Sequence, residues 1–187
     1  MAQACAGTRT VFFVDSAHFV LGAYLGYLWA LARLVIRAPS GRQRFNVLGA
    51  LNALTHELVS VTNETYINAL SVCELLVKVA DLKLSGPVTL VMDNARYQHC
   101  RLVMEKAAEL KIELLFLPAY SPNLNLIERL WKFVRKECLY SKYYERFEPF
   151  KQAISRCLGE TTGQHKAELD KLLTLKFQTL ESAVPAL

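Results

Sequence analysis

Residues 88–93 read VTLVMD, a short apolar run that is rich in β-branched residues and ends in an acid. Such a run predicts a strand buried on both faces. Gly86 and Pro87 separate it from residues 68–84, where apolar side chains recur at helical spacing. Residues 98–110 show a helical pattern on the other side. The stretch therefore predicts a strand between two helices, as in α/β folds.

The segments farther from this strand extend the same alternation. Further strands are predicted at residues 10–15, 45–52, 58–62 and 112–117. The second and third of these are joined by a short polar turn, which favours an antiparallel hairpin. Ser121 and Pro122 are good first residues of a helix that runs to about Leu139. The fold class predicted is α/β, a mixed sheet flanked by helices, with the apolar runs 10–15 and 88–92 at its centre.

Length and composition limit the class of protein. The chain has 187 residues, of which 52% are hydrophobic and 21% charged, with a formal net charge of +5. Disordered chains have low hydrophobicity and high charge, so they are excluded, as are low-complexity and collagen-like classes. The length suits one domain, and the basic excess permits a nucleic acid partner.

The cysteines and histidines show no metal or disulfide pattern. Five cysteines are present without Cys-x-x-Cys spacing, and the four histidines are scattered. The sequence therefore predicts neither a disulfide framework nor a zinc site. It predicts free thiols in a reducing cytosol.

Residues 19–32 form a run of 14 residues without a charged side chain. A membrane-spanning helix needs about 20 apolar residues. Asp15 and His18 precede the run, where a signal peptide would have a basic segment. We predict a loop and a buried strand here and no membrane partner. The alternative is a membrane-associated segment, which solubility without detergent would exclude.

Two acids lie at the predicted ends of central strands. Asp15 closes the run TVFFVD and Asp93 closes VTLVMD. Ligands of α/β proteins bind at strand ends, and two carboxylates there need a cation or a shared proton. The alternative is that each Asp only marks a turn, which is the more common role for either Asp alone.

Glu128 is a third candidate acid. It lies at the edge of an apolar helical seam, whose members are Leu124, Ile127, Trp131 and Val134. Cations occupy its other flank, at Arg129, Lys132, Arg135 and Lys136. One interpretation is a surface Glu128–Lys132 pair. The other is an inward carboxylate beside phosphate-binding cations. Trp29 and Trp131 are assigned to the core.

Three carboxylates form a donor set that suits magnesium. Mg²⁺ prefers oxygen ligands and keeps waters and substrate phosphates in its shell. A pair of such ions can promote phosphodiester displacement. The sequence contains no phosphate-binding Gly-rich loop, no G-x-S-x-G and no H-E-x-x-H motif.

Three segments together resemble the DDE transposases of the mariner-like branch, which includes bacterial insertion-sequence enzymes. They are FVDSAH, VMDNARYQ and AYSPNLNLIERLWKFVRKE. The most specific block is S-P-x-L-N-x-I-E-R-x-W, and 34 residues separate Asp93 from Glu128, a spacing typical of that branch. The resemblance covers roughly residues 8–145.

This resemblance implies a ribonuclease H-like fold and a metal-binding catalytic triad of Asp15, Asp93 and Glu128. It implies two Mg²⁺ or Mn²⁺ ions, with Asn94 and Asn125 in supporting positions. The family's enzymes cleave DNA at transposon ends and join the freed 3′-hydroxyl to target DNA. Residues 1–145 are the expected catalytic domain, and residues 146–187 the expected helical tail.

The chain departs from many relatives in three ways. Ser16 replaces a Glu after the first Asp, and Leu126 replaces a Pro before Ile-Glu. Full transposases of this kind also begin with helix-turn-helix DNA-binding regions. Here Asp15 is so near the first residue that this module is expected to be missing or on another chain. The alternative function is a truncated remnant that only binds DNA or a partner.

The expected partners and location follow from the resemblance. DNA is the expected substrate, as transposon ends and target, bound by a homodimer in a synaptic complex. DNA contacts are predicted at Arg33, Arg37, Arg42, Arg44, Arg129, Lys132, Arg135 and Lys136. A solvated loop is the alternative for the first four. A bacterial cytoplasmic location, on the nucleoid when bound to DNA, is expected.

Overall fold

The structure is a computed structural model that describes residues 1–22, 43–118 and 124–177. The strands are β1 Thr10–Val20, β2 Arg44–Asn52, β3 Leu58–Asn63, β4 Val88–Met92 and β5 Ile112–Phe116. The helices are α1 Ala2–Cys5, α2 Ala69–Ala80, α3 Arg101–Glu109, α4 Ile127–Cys138, α5 Phe147–Gly159 and α6 Lys166–Leu172. The predicted alternation of strands and helices is confirmed.

The five strands form one mixed sheet in the order β3-β2-β1-β4-β5. The β1–β2 and β2–β3 pairs are antiparallel, whereas β1–β4 and β4–β5 are parallel. The hairpin and the central placement of the most apolar strands are as predicted. Because β1 and β4 run in one direction and their pairing ends at Phe13 and Val91, the carboxyl end of β4 lies beside the middle of β1.

Both faces of the sheet are covered by helices. Side chains along β1 alternate, so Phe13 and Phe19 face α4, α5 and α6 while Phe12 and Val14 face α2 and α3. The apolar sheet therefore lies between two layers of helices.

Strand β1 is longer than predicted. The strand predicted for residues 10–15 continues to Val20, because residues 16–20 pair with β2, from Ser16↔Leu48 to Val20↔Arg44. Asp15 thus lies inside a strand, two residues beyond Phe13, where the pairing with β4 ends.

Helix α4 begins later than predicted. Ser121 and Pro122, the predicted first residues, lie outside the described residues, and the regular helix begins at Ile127. Asn125 precedes it with a buried side chain that bonds to β1, so this position anchors the helix to the sheet.

The C-terminal helices pack on the α4 side. Phe150 and Ile154 of α5 and Leu169 of α6 are fully buried in the same cluster as α4. The interruption predicted around residues 159–163 is confirmed, and the domain boundary after residue 145 stays a prediction. All five cysteines are free thiols.

The apolar run 19–32 is described in part. Phe19 and Val20 end β1, while residues 23–32 lie outside the described residues, together with Trp29. Within the described ranges, no helix is long and apolar enough to cross a bilayer.

Candidate active site

Asp15 and Asp93 extend from neighbouring parallel strands at the same level. The β1–β4 register pairs Phe13 with Val91, and two further residues on each strand lead to Asp15 and Asp93. Phe13 and Val91 both face α4, so alternation places Asp15 on that face and directs Asp93 the same way. The structure thus brings two of the three predicted acids to one sheet edge.

Glu128 reaches this edge from the first turn of α4. Ile127 and Trp131 bury the helix against the sheet, and Glu128 between them is half-buried. The Asn125 side-chain amide donates to the Val14 carbonyl over 3.1 Å, one residue before Asp15. This buried bond fixes the start of α4 to β1, which positions Glu128 beside Asp15.

The electrostatics of Asp15 show that the three acids share one environment. The pKa of Asp15 is raised from its ordinary value of 3.8 to about 7, chiefly because the carboxyl group is buried. The nearby carboxylates of Glu128 and Asp93 contribute to this rise, and hydrogen bonds from the Ser16 backbone and the Trp131 indole oppose it. A carboxyl group that is buried among like charges gains most when a cation joins it.

The donor chemistry fits a hard divalent cation, but the three carboxylates do not form a closed cage. Among residues 1–22, 43–118 and 124–177, no three His, Cys, Asp or Glu side chains are grouped closely enough to hold a metal ion. Asp93 is exposed, and its Oδ1 accepts the Ala95 backbone N–H over 3.2 Å. Three negative groups repel, so drawing them together around one centre requires a positive charge.

The two asparagines play different parts from each other. Asn125 links α4 to β1, as described, and its Oδ1 is buried without a partner in the described part of the chain. Asn94 bonds to His99, with 2.9 Å between Oδ1 and Nδ1. No hydrogen bond joins Asn94 to Asp93 among the described residues, and the role of Asn94 in orienting Asp93 stays a prediction.

The guanidinium of Arg129 is bonded within the protein. Its guanidinium donates to the backbone oxygens of Leu172, Thr174 and Lys176 at 2.7–3.3 Å, and it stacks over Phe177. These bonds tie the chain after α6 to α4 and compete with the DNA contact predicted for Arg129, which stays a prediction.

The remaining cations that were predicted to contact DNA differ in whether they already contact other side chains of the protein. Lys132 is exposed and makes no hydrogen bond or ion pair with any described residue, so the Glu128–Lys132 pair does not form. Arg135 lies 5.7 Å from the Phe19 ring, and Lys136 pairs with Glu137 and Glu168. Arg44 is exposed at the start of β2. Arg33, Arg37 and Arg42 lie outside the described residues.

Sequence reasoning missed two residues at this site. Trp131, assigned only to the core, donates its indole N–H to Asp15 Oδ2 over 3.0 Å. Gly49 lies directly opposite Asp15 in the β1–β2 register. A glycine inside a strand pattern signals a close approach by another group, and this signal was present in the sequence.

Comparison with known proteins identifies the family. The pattern of the DDE superfamily endonucleases matches residues 10–151. A stretch of 131 residues is 27% identical to the "Insertion element IS630 uncharacterized 39 kDa protein" of Shigella sonnei. This stretch covers 68% of this chain and 38% of that protein. The chain thus spans well under half the length of this relative.

Solved structures share the fold at low identity. The Mos1 transposase paired-end complex with left transposon end gives a TM-score of 0.56 at 15% identity, covering 89% of this chain and 56% of that one. The mariner Mos1 paired end complex with Mg gives a TM-score of 0.59 at 14% identity, covering 89% of this chain and 52% of that one. The catalytic core domain of BIV integrase gives 0.53 at 13% identity, over 84% of each chain.

These likenesses establish the fold, and the sequence pattern establishes the family. The mixed five-stranded sheet flanked by helices is the ribonuclease H-like fold of transposase and integrase catalytic cores. The matched pattern spans more than half of the chain and includes Asp15, Asp93 and Glu128. The chain belongs to the DDE superfamily endonucleases.

Proposed function

We propose that this chain is a DNA transposase catalytic domain that cleaves DNA strands and joins them to a target. The observation that carries the proposal is the placement of Asp15 and Asp93 at one level of two parallel strands, with Glu128 close enough to act on the same carboxyl group. The substrate is a DNA phosphodiester, and both reactions are displacements at phosphorus.

Asp15, Asp93 and Glu128 are the residues that would hold two Mg²⁺ or Mn²⁺ ions. Such ions, when bound, supply charge that activates the attacking oxygen and stabilises the leaving oxygen. The chain's own contribution is to present three carboxylates from a rigid sheet and helix. Asp15 must give up its proton to act as a ligand, since its pKa lies near neutrality. Asn125 contributes by fixing α4.

Among the cations predicted to contact DNA, Lys132 is one that is free to bind a phosphate. It lies one helical turn beyond Glu128, and its ammonium group has no competing partner among the described residues. Arg44 is exposed on the strand that pairs with β1. These contacts would hold the backbone without reading bases.

The proposal extends to the assembly and its location. The chain acts as part of a homodimer that holds two transposon ends together, in the bacterial cytoplasm, with end recognition supplied by a helix-turn-helix region. Support comes from the Shigella sonnei relative and from the paired-end complexes of Mos1, which are named as assemblies with transposon ends.

A nicking assay tests the catalytic proposal. We expect the purified chain to nick supercoiled plasmid DNA with Mn²⁺, and Asp93→Asn to reduce the rate at least about 100-fold, because a metal ligand is lost. Asp81→Asn is the matched control, since Asp81 is an exposed acid at the end of α2. Equal nicking by Asp93→Asn and its parent would exclude the triad. DNA binding without nicking by the parent would support the remnant.

A further inference from the structure

Helix α4 approaches β2 unusually closely at Gly49. A Cβ atom at this position would lie 2.9 Å from Trp131 Cη2 and 3.0 Å from Ile127 Cδ1. Real Cβ contacts are essentially never shorter than 3.0 Å, so a larger residue would displace the helix or the indole. The glycine thus sets how near the Trp131 ring comes to the strand pair that carries Asp15.

The Trp131 ring is held tightly in this position. Its side chain is 1% exposed, and it meets Phe19 edge-on with 6.4 Å between ring centroids. An indole N–H is a donor only, and a buried one needs an acceptor. The acceptor here is Asp15 Oδ2, at 3.0 Å. A core tryptophan could satisfy its N–H on a backbone carbonyl, but this one uses a proposed metal ligand.

We infer that Trp131 is a positioning residue for Asp15, with Gly49 providing the space that lets it act. The inference rests on the proposed function, in which Asp15 is a metal ligand. The indole N–H holds one carboxylate oxygen, so the side chain of Asp15 is fixed before a cation arrives. A ligand that is already oriented loses less conformational freedom on binding, and groups that orient ligands typically contribute 10–100-fold to metal affinity.

Direct measurement of metal affinity tests this role without relying on activity. Mn²⁺ is titrated calorimetrically into the purified full chain in the absence of DNA. We expect Trp131→Phe, which removes the N–H and keeps an aromatic ring, to weaken binding about 10-fold. Its nicking rate should approach that of the parent at saturating Mn²⁺, because the defect is in ligand orientation. A loss of rate that high Mn²⁺ does not restore would contradict the inference.

Two control variants separate positioning from packing and from the proposed function. Phe19→Leu disturbs the packing of Trp131 but keeps its N–H, so we expect the parent affinity. An equal loss with Phe19→Leu would reduce Trp131 to a packing residue. Asp15→Asn should abolish tight binding. If Asp15→Asn binds like the parent, the ligand assignment itself fails, whereas normal binding by Trp131→Phe alone overturns only the positioning role.

Gly49→Ala provides a second test if Trp131→Phe does not fold. This variant keeps the indole N–H but displaces the ring, since its new methyl group would overlap Trp131. Circular dichroism establishes that the tested protein is folded. We expect weaker Mn²⁺ binding by the folded variant, and an unchanged affinity would overturn the inference.

Discussion

Asp15 is a carboxylic acid in a place that disfavours its charge. Burial, followed by the charges of Glu128 and Asp93, raises its pKa from 3.8 to about 7. The folded chain therefore holds this proton more tightly than the unfolded chain does. The resulting stabilisation is fully present below about pH 4 and is lost as the pH rises through about 7. At neutral pH and above, where the chain would bind metal, the buried charge of Asp15 therefore destabilises the metal-free chain.

Asp15→Asn should consequently stabilise the metal-free chain at pH 8. The amide removes the buried charge and keeps an acceptor for Trp131. We expect a gain of about 1 kcal/mol or more, roughly 2–4 °C in Tm for a chain of this size. Thermal melts in EDTA at pH 8 and pH 5 measure it, and the gain should shrink at pH 5, where the parent carries the proton. A gain of the same size at both values, or one shared by Asp81→Asn, would contradict the role of the charge.

At the residue scale, the sequence predicts the three proposed metal-binding acids better than it predicts the side chains that contact them. Asp15, Asp93 and Glu128 each have a local signal, an apolar run or helical seam beside an acid. Trp131 and Asp15 are 116 positions apart, and their contact depends on the β1–β2 register and on how deeply α4 packs. Local sequence patterns predict neither the strand register nor the packing depth of the helix. Arg129 shows the same limit, because its partners lie more than 40 residues away.

At the scale of elements, local signals located most strands and helices. Helix α2 starts at the cap Asn68, whose Oδ1 accepts the Ser71 N–H over 3.1 Å, and β4 matches the predicted run. The predicted boundaries were wrong where distant partners set them. The second half of β1 exists because β2 pairs with it, and α4 starts where Asn125 bonds to β1.

The packing of α4 on β2 gives a prediction at this scale. Gly49→Ala adds a methyl group where three side-chain atoms lie at 2.9–3.0 Å, so we expect a loss of about 1–3 kcal/mol in unfolding free energy. Gly159→Ala at the end of α5 is the matched control, because a Cβ there meets nothing within 4 Å. Urea unfolding of both variants measures the difference. A Gly49→Ala protein as stable as Gly159→Ala would mean that α4 is not fixed at this distance.

At the scale of the whole molecule, the net charge of +5 is not uniformly available to DNA. Arg129 uses its guanidinium to hold residues 172–176, and Lys136 pairs with two glutamates. Lys132 has no such partner among the described residues. The sequence groups these cations in one basic stripe, and the fold separates a structural cation from a free one. Non-specific DNA affinity should follow the free cations.

Salt dependence of DNA binding distinguishes the two kinds of cation. Each phosphate contact adds about 0.9 to the slope of log K against log salt concentration. We expect Lys132→Gln to reduce the slope by about that amount at unchanged Tm. Arg129→Gln should keep the slope and lower the unfolding free energy by about 0.5–1.5 kcal/mol, because the hydrogen bonds to three backbone carbonyls are lost. Fluorescence anisotropy with a random duplex at several NaCl concentrations, beside thermal melts, measures both. A reduced slope for Arg129→Gln at unchanged stability would show that its guanidinium leaves the chain after α6 to bind phosphate, and it would reverse the assignment made from these contacts.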